Sequence, residues 1–451
     1  MTQATEDAPT HYEVIIVGGG MVGATLAALL GKAGVSVALL DARAEPLDVE
    51  AVGRGQPAMR VSALTPVSQR LLQGLGAWSW MQARRVTPYH HMQVWDSEGS
   101  GEVAFTAEQA GVPVLGHIVE NDVILAALEA RLAELPTVAV RLGARVSGLE
   151  AKGVAREVLL EDGRRLTAPL VVAADGAQSP MRTLAGIEVN AHDTGHMAVV
   201  TTVRTERAHG GVARQVFLPT GPLAFLPLTV EGDDRFCSIV WSTSPQEAAR
   251  LVELSPDALG HALTAAFESR LGGVEVVDRA LAVPLTQRHA KTYGQAGLVL
   301  VGDAAHSIHP LAGQGVNLGL MDVAVLAEEV LTARQRGMSM GHESVLARYT
   351  RRRRGDNAAM LALMDGFRLL FGSRHPVVTL VRNFGLSGVD RLVPVKRLLM
   401  RQATGLCWMR SSATTASISG SEPGCRDGAG KGGELDSDRI AEIIIAEIRS
   451  T

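Results

Sequence analysis

The 451-residue chain is poor in aromatics, with 8 Phe, 5 Trp and 4 Tyr, and poorer still in cysteine, with 3. Cys237, Cys407 and Cys425 have no metal-like spacing, and their odd number suits a reducing cytoplasm rather than a disulfide framework. Positive charge is not in excess: 43 Lys+Arg against 47 Asp+Glu leave −4, which argues against a nucleic-acid partner. No apolar run approaches the ~18 residues needed to cross a bilayer. The opening MTQATEDAPT is polar and acidic, unlike a signal peptide. The expected location is therefore cytoplasmic. Hydrophobic residues, by contrast, make up 46%, enough for sizeable cores in two or three structural units.

The richest stretch is LVLVGDAAHSIHPLAGQGVNLGLMD, Leu298 to Asp322. A β-run delivers Gly302-Asp303. A loop with His306, His309 and Pro310 follows, and Gly313, Gly315 and Gly319 open a long apolar helix. A carboxylate at a strand end can accept hydroxyls, and a helix N-terminus offers free N–H groups and positive potential. Glycines there let a flat ligand lie against backbone. Near the N-terminus, Tyr12 to Val17 reads as a strand, and Gly18, Gly20 and Gly23 form GxGxxG at the head of an Ala/Leu-rich helix. A second strand, Val35 to Leu40, ends in Asp41. This is a dinucleotide fingerprint in its required context, which does not by itself separate NAD from FAD. Between the two lies LVVAADGAQSPMR, an apolar strand followed by Asp175-Gly176 and then Arg182. Alone, Asp-Gly after a strand is an ordinary turn.

Together these segments resemble the FAD-dependent aromatic hydroxylases, the single-component flavin monooxygenases. RVSALTP at Arg60–Pro66, LGHIVEND at Leu115–Asp122, ARQVFLPTGPLAFLPL at Ala213–Leu228 and HPLAGQGVNLGLMD are similar to the ubiquinone-biosynthesis hydroxylases, over about residues 12 to 406. YHHMQVWD, CSIVWSTSP and VRNFGLSGVDRLVPVKRLLMRQATGL look most like the 2-polyprenylphenol hydroxylase acting at the ring 5-position. The resemblance implies that Gly18, Gly20, Gly23 and Asp41 hold the ADP part of FAD. It also implies that Asp303 binds the ribityl chain, and that Asp175 serves flavin and reduced nicotinamide. Arg60 stands where the family keeps an arginine near flavin and nicotinamide, and Asn121 where a residue lies near the FAD linkage. Arg43, two residues past Asp41, either neighbours the adenosine or is solvated. Gly302, Gly313, Gly315, Val316 and Asn317 complete the cradle, whose helix N-terminus would stabilise negative charge on the flavin.

The implied chemistry is oxygen delivery from a flavin hydroperoxide to a phenol ring, with NAD(P)H as donor; the cofactor carries the hard step. His306 and His309, beside Pro310, are the nearest titratable candidates, with packing or loop hydrogen bonds as the plainer reading. None of Tyr12, Tyr89, Tyr293 and Tyr349 falls in a cofactor motif. No metal is expected. The substrate implied is a polyprenylated phenol or quinol, used with O2, and other ubiquinone-biosynthesis proteins are candidate partners. A soluble aromatic-acid hydroxylase, a reductase of prenyl double bonds and a non-catalytic flavin-bound subunit remain open on the same fold.

The fold class expected is α/β: a discontinuous Rossmann-like FAD domain, an inserted mainly antiparallel substrate sheet, and C-terminal helices. Residues 12–77, 107–186 and 286–348 are assigned to the FAD domain, and 78–106 and 187–285 to the substrate domain. Residues 1–11 read as a flexible start. Val154–Leu160 and Arg164–Leu166 read as a hairpin with a two-residue turn at Asp162-Gly163. In the helical region 349–406 the balance shifts: residues 350–410 hold 12 Lys/Arg against 3 Asp/Glu, a net of +9. With its apolar residues at helical spacing, that suits peripheral contact with an anionic membrane, or a helical cap with a solvated basic face. Residues 407–451, Ser/Gly-rich at first, read as a largely disordered tail outside the family pattern.

Overall fold

The computed structural model describes residues 10–99, 101–307 and 315–372. His309, Pro310, Gly313, the basic segment 374–406 and the tail 407–451 lie outside the described residues.

Four short apolar strands, Val14–Val17, Val37–Leu40, Leu170–Ala173 and Leu298–Leu300, are buried throughout and pair in parallel. Continuous apolar runs of this kind are what a sheet covered on both faces requires. Val138–Arg141 and Gly294–Gln295 complete a six-stranded sheet. The helices Met21–Lys32 and Gly315–Gln335 pack on it, and Val345, Leu346 and Tyr349 of the Glu343–Gly372 helix share its core. Val14–Val17 lies between Leu170–Ala173 and Val37–Leu40, so the chain leaves it in both directions across the sheet. Such a switch point opens a crevice at the strands' carboxyl ends.

A second sheet of nine strands is built from 91–106, 189–290 and His306–Ser307. All its pairings are antiparallel except Val212–Leu218 with His91–Asp96, which run parallel. One face packs Val216, Phe225, Ile239 and Trp241 under two helices, Pro245–Glu253 and Pro256–Ala266. The span 187–285 was expected to be strands, so these helices are an addition. Their cause is local: Ser244-Pro245 and Ser255-Pro256 place a capping hydroxyl before a proline at the first helical position. The opposite face packs Ala224, Leu226 and Leu228 against Ala63 and Ile118 of a small sheet formed by Val61–Leu64, Thr87–Tyr89 and Gly116–Glu120. Of the inserted 78–106, the helix Trp78–Gln82 packs with the larger core, and the strands from His91 on join the nine-stranded sheet.

The hairpin at 155–168 forms, but its loop has three residues rather than two. Leu160 N–H still bonds Arg164 C=O at 2.9 Å, and Gly163 takes φ +86° inside the loop. A glycine in the left-handed region after a turn produces this longer connection.

Candidate FAD site and its supports

The register decides the site. Val17, Leu40, Ala173 and Leu300 are direct neighbours across the parallel sheet. The ladder continues one residue further, with Gly18 N–H bonding Leu40 C=O at 2.8 Å, Ala174 N–H bonding Val17 C=O at 2.7 Å and Val301 N–H bonding Ala173 C=O at 3.0 Å. The three motifs therefore emerge side by side, in the order Gly302-Asp303, Asp175, Gly18 to Gly20, Asp41. From first to last strand is three strand spacings, about 14 Å, a span for an extended ligand rather than a small one.

The glycines divide the work. Gly18 has φ +106°, and a Cβ there would stand 2.3 Å from the Ala174 carbonyl oxygen. A Cβ at Gly23 would stand 1.9 Å from Gly18 O, so Gly23 lets the first helix press on the turn. At Gly20, Gly176 and Gly315 a Cβ would meet nothing within 4 Å. Those three line open space, and Gly20 caps the N-terminus of Met21–Lys32 without any side-chain bond to its free N–H groups. That is a cradle for pyrophosphate beside backbone donors. The Asp41 carboxylate lies against this loop, its Oδ2 being 2.4 Å from where a Gly19 Cβ would be, and its Oδ1 accepts Arg43 N–H at 2.8 Å.

At the other end Asp303 is exposed, yet enclosed enough that burial pushes its carboxyl above the ordinary value, against the charges of His306 and Arg60. A carboxylate on the floor of an open cleft has these properties. No described residue hydrogen-bonds it, which leaves its oxygens for ligand hydroxyls. Asp175 is different: Oδ1 accepts Ser179 Oγ–H at 2.5 Å and Oδ2 accepts Met181 N–H at 2.9 Å, so its side chain caps the Pro180–Leu184 helix. Burial pushes it up too, opposed by those bonds. The residues fit FAD: a diphosphate cradle, an acid for a ribose on one side of it, and on the other side, two strands away, an acid with no hydrogen bond from the described residues.

Comparison with known proteins agrees with the geometry. A family model described as FAD binding domain matches residues 11–363. The chain is 40% identical over 394 residues to 3-demethoxyubiquinol 3-hydroxylase of Escherichia coli, covering 87% of this chain and 98% of that protein. The chain belongs to the FAD-dependent ubiquinone-biosynthesis hydroxylases. Ubiquinone hydroxylase UbiL of Rhodospirillum rubrum is 38% identical, covering 89% of this chain and 91% of that one. The human mitochondrial ubiquinone biosynthesis monooxygenase COQ6 is 32% identical, covering 88% and 93%. Among solved structures, p-nitrophenol 4-monooxygenase PnpA from Pseudomonas putida superposes with TM-score 0.70 at 21% identity, covering 88% of this chain and 99% of that one, which shows the shared fold. The hydroxylase is thus an FAD-dependent aromatic-ring monooxygenase, and bound FAD supplies the chemistry that activates oxygen.

The remaining candidate residues in the hydroxylase are mostly engaged. Asn317 Oδ1 accepts Thr65 N–H at 3.0 Å and Ser68 Oγ–H at 2.6 Å, and its Nδ2 donates to Ala63 C=O at 2.7 Å. Its side chain pins the start of Gly315–Gln335 to the small sheet; only its backbone is left for the ligand. Val316 packs against the main core. Asn121 accepts Ser62 Oγ–H at 2.7 Å, and its N–H bonds Arg60 C=O at 2.9 Å. Arg43 pairs with Glu129 instead of standing in solvent. Arg60 is exposed. His306 is 2% exposed with Nε2 2.5 Å from Asp322 Oδ2, behind the cleft. Burial raises the phenols of Tyr293 and Tyr349 far above their usual range, and that of Tyr89 to about 12, so none of these three is poised as a base.

Sequence reasoning missed the supports. Arg182 donates to Ala304 C=O at 2.9 Å and Ala177 C=O at 3.0 Å, bridging two motifs. Arg85 and Glu120, 5% and 2% exposed, pair at 2.7 Å; Arg85 also donates to Gly55 C=O, and Glu120 accepts Ala58 N–H, both at 2.6 Å. This clamps the loop that leads into Arg60. The Arg351–Arg354 run was counted as basic surface, yet Arg353 is 1% exposed and pairs with Asp322, while Arg352 pairs with Glu328 and Glu329. Only its position in the alternation of a helix separates a buried arginine from its neighbours, and the run of four hid that.

Proposed function

We propose that the hydroxylase adds a hydroxyl to the ring of a polyprenylated phenol or quinol, at the ring 5-position, using O2 and electrons from NAD(P)H. The substrate class is supported by the 40% identity to a relative named for hydroxylating a ubiquinol precursor, together with an apolar seam of packed side chains between the small sheet and the nine-stranded sheet. The seam begins at Ala63, whose carbonyl Asn317 holds at the helix N-terminus beside the cleft. A prenyl tail accommodated along that seam would gain roughly 0.8 kcal/mol for each buried CH₂. Arg214, one of several half-buried arginines of the large sheet, shares a face with its partner Phe225 under the two helices, away from this seam. A soluble aromatic acid would want such a cation in the seam. The protein's own part is to orient the ring and exclude water.

The 40%-identical relative is named for 3-hydroxylation of 3-demethoxyubiquinol. That favours the 3-position as the second reading. Expression in strains that each lack one ring hydroxylase, followed by quinone profiling, separates them. Ubiquinone restored only in the strain lacking 5-hydroxylation supports the first; restoration only in the strain accumulating 3-demethoxyubiquinol replaces it with the second. Restoration in none removes the assignment.

Among the described residues no helix is long and apolar enough to cross a membrane. A prenylated substrate nonetheless requires access to a bilayer surface or to a partner from the same pathway. We infer peripheral contact through 374–406, whose Lys and Arg would each contribute about 1 kcal/mol on anionic lipid. Wild type should float with anionic liposomes at low salt, and a variant with Arg391, Lys396, Arg397 and Arg401 neutralised should not. Equal flotation removes this segment from the membrane role.

A further inference from the structure

A second charge system lies directly behind the cleft, centred on Asp322 in the glycine-opened helix. Its side chain is fully buried. Oδ2 accepts Gly302 N–H at 3.0 Å and faces His306 Nε2 at 2.5 Å. Oδ1 accepts Arg353 Nε–H at 2.8 Å and Asn357 Nδ2–H at 3.2 Å. Arg353 in turn donates to Asn357 Oδ1 at 2.8 Å and Asp356 Oδ2 at 3.2 Å. One carboxylate therefore joins the Gly302-Asp303 turn, the Gly315–Gln335 helix and the Glu343–Gly372 helix.

The turn it holds is closed by one backbone hydrogen bond of its own, Ala305 N–H to Gly302 C=O at 2.9 Å, which leaves its first amide to find a partner elsewhere. Gly302–Ala304 is a single 3₁₀ turn of three residues, with Gly302 at φ +57°. Its first amide points into the protein, where an unpaired N–H is costly, and Asp322 is the acceptor it finds. Its last residue is held by Arg182 at Ala304 C=O, 2.9 Å. Between these two anchors sits Asp303, whose carboxylate accepts no hydrogen bond from the described residues. Burial alone would drive Asp322 towards the neutral form; the charges of His306 and Arg353 reverse this and hold it far below the usual carboxylate range. A carboxylate favoured in its ionised form is a stronger acceptor for a backbone N–H than a neutral group.

We propose that Asp322, His306 and Arg353 are positioning residues for FAD: together they set the Gly302–Ala304 turn, and through Arg353 the C-terminal helix is part of the flavin site. On this assignment His306 is no general base. Its Nε2 is spent on Asp322, and its ring lies tilted against Tyr293 at 5.8 Å. The inference rests on the cleft's holding FAD, so FAD binding by wild type is the control that separates the two.

The test titrates full-length apoprotein with FAD, following flavin fluorescence, with folded content checked by circular dichroism. His306→Leu and Arg353→Met should weaken FAD binding about tenfold or more, the size of one lost charge-assisted hydrogen bond. His306→Gln, which keeps a donor near the Nε2 position, and Arg353→Lys, which keeps the charge, should recover most of that loss. A purely structural role would lower thermal stability without distinguishing these pairs in FAD affinity. If His306→Leu or Arg353→Met does not fold, Arg353→Lys and His306→Gln are compared with a Tyr349→Phe control, whose lost bond goes to Leu300 C=O and not to the turn. Near-wild-type affinity in Arg353→Lys, His306→Gln and Tyr349→Phe, with Asp322→Asn weakened, supports the proposal. FAD affinity unchanged in Leu and Met variants, or equally weak in Gln and Leu variants, overturns it.

Discussion

Gly23→Ala protein should purify with less than about a tenth of the wild-type FAD, because the overpacked helix cannot keep its place on the turn. The added Cβ would lie 1.9 Å from Gly18 O and 3.1 Å from Gly18 C, and both are backbone atoms that no rotamer change can move aside. The Met21–Lys32 helix must therefore back away from the turn it is meant to donate its N–H groups across. A loss of about 1–3 kcal/mol in the apoprotein should accompany the flavin loss. Gly20→Ala is the matching control. Its Cβ would meet nothing within 4 Å, and Gly20 has φ −67°, which alanine adopts freely. The apoprotein should unfold at the wild-type denaturant concentration, while FAD binding falls, since only the ligand needs that space. Flavin-to-protein absorbance and urea unfolding read both quantities. Full FAD in Gly23→Ala, or a destabilised apoprotein in Gly20→Ala, would contradict the roles assigned to the two glycines.

Arg85→Met should cost about 3–5 kcal/mol at neutral pH, the usual penalty for leaving one charge of a buried pair alone. The deficit should depend on pH in a definite sense. In the native protein burial already raises the Glu120 carboxyl, opposed by Ala58 N–H and Arg85. Without Arg85 that opposition weakens and the folded state keeps the proton to higher pH. The unfolded chain releases it near 4.5, the ordinary value. Between those two values the folded state binds more protons, so stability falls as pH rises through the window and the variant is worst at neutral pH. Urea unfolding at pH 7 and pH 5 checks this, and Arg85→Met/Glu120→Gln should regain much of the loss at pH 7. A deficit below about 1 kcal/mol at pH 7 would show that the pair does not have the buried, uncompensated character read here. With Gly55 C=O released from Arg85, the loop 51–58 should loosen and Arg60 lose its setting, visible as faster proteolysis in that stretch.

How far the site could be read without coordinates follows from distance along the chain. Gly18, Gly20, Gly23 and Asp41 form one strand–turn–helix–strand unit, and Leu298–Asp303 forms another, so apolar runs and glycine spacing were enough to place them. The chain could also tell that Asp175 follows a strand. It could not tell that Asp175 spends both oxygens on its own helix while Asp303 spends none on the described residues, because both read as an acid beside a glycine. His306 likewise could be read as a titratable candidate or as a loop residue held by hydrogen bonds, and only its burial against Asp322 decides for the second.

Local pattern, then, determined a dinucleotide site, the parallel strands and the inserted antiparallel sheet, while family resemblance chose FAD: hydrophobic period, turn chemistry and helix openings act within a few residues and are written contiguously. Tertiary structure alone decided which charges are buried and whom they serve. Asp322 meets Arg353 across 31 residues, Arg85 meets Glu120 across 35, and Asn317 meets Thr65 across 252. An arginine's letter is the same on a surface and in a core; only packing removes the water, and only in its absence does a single partner decide the energy.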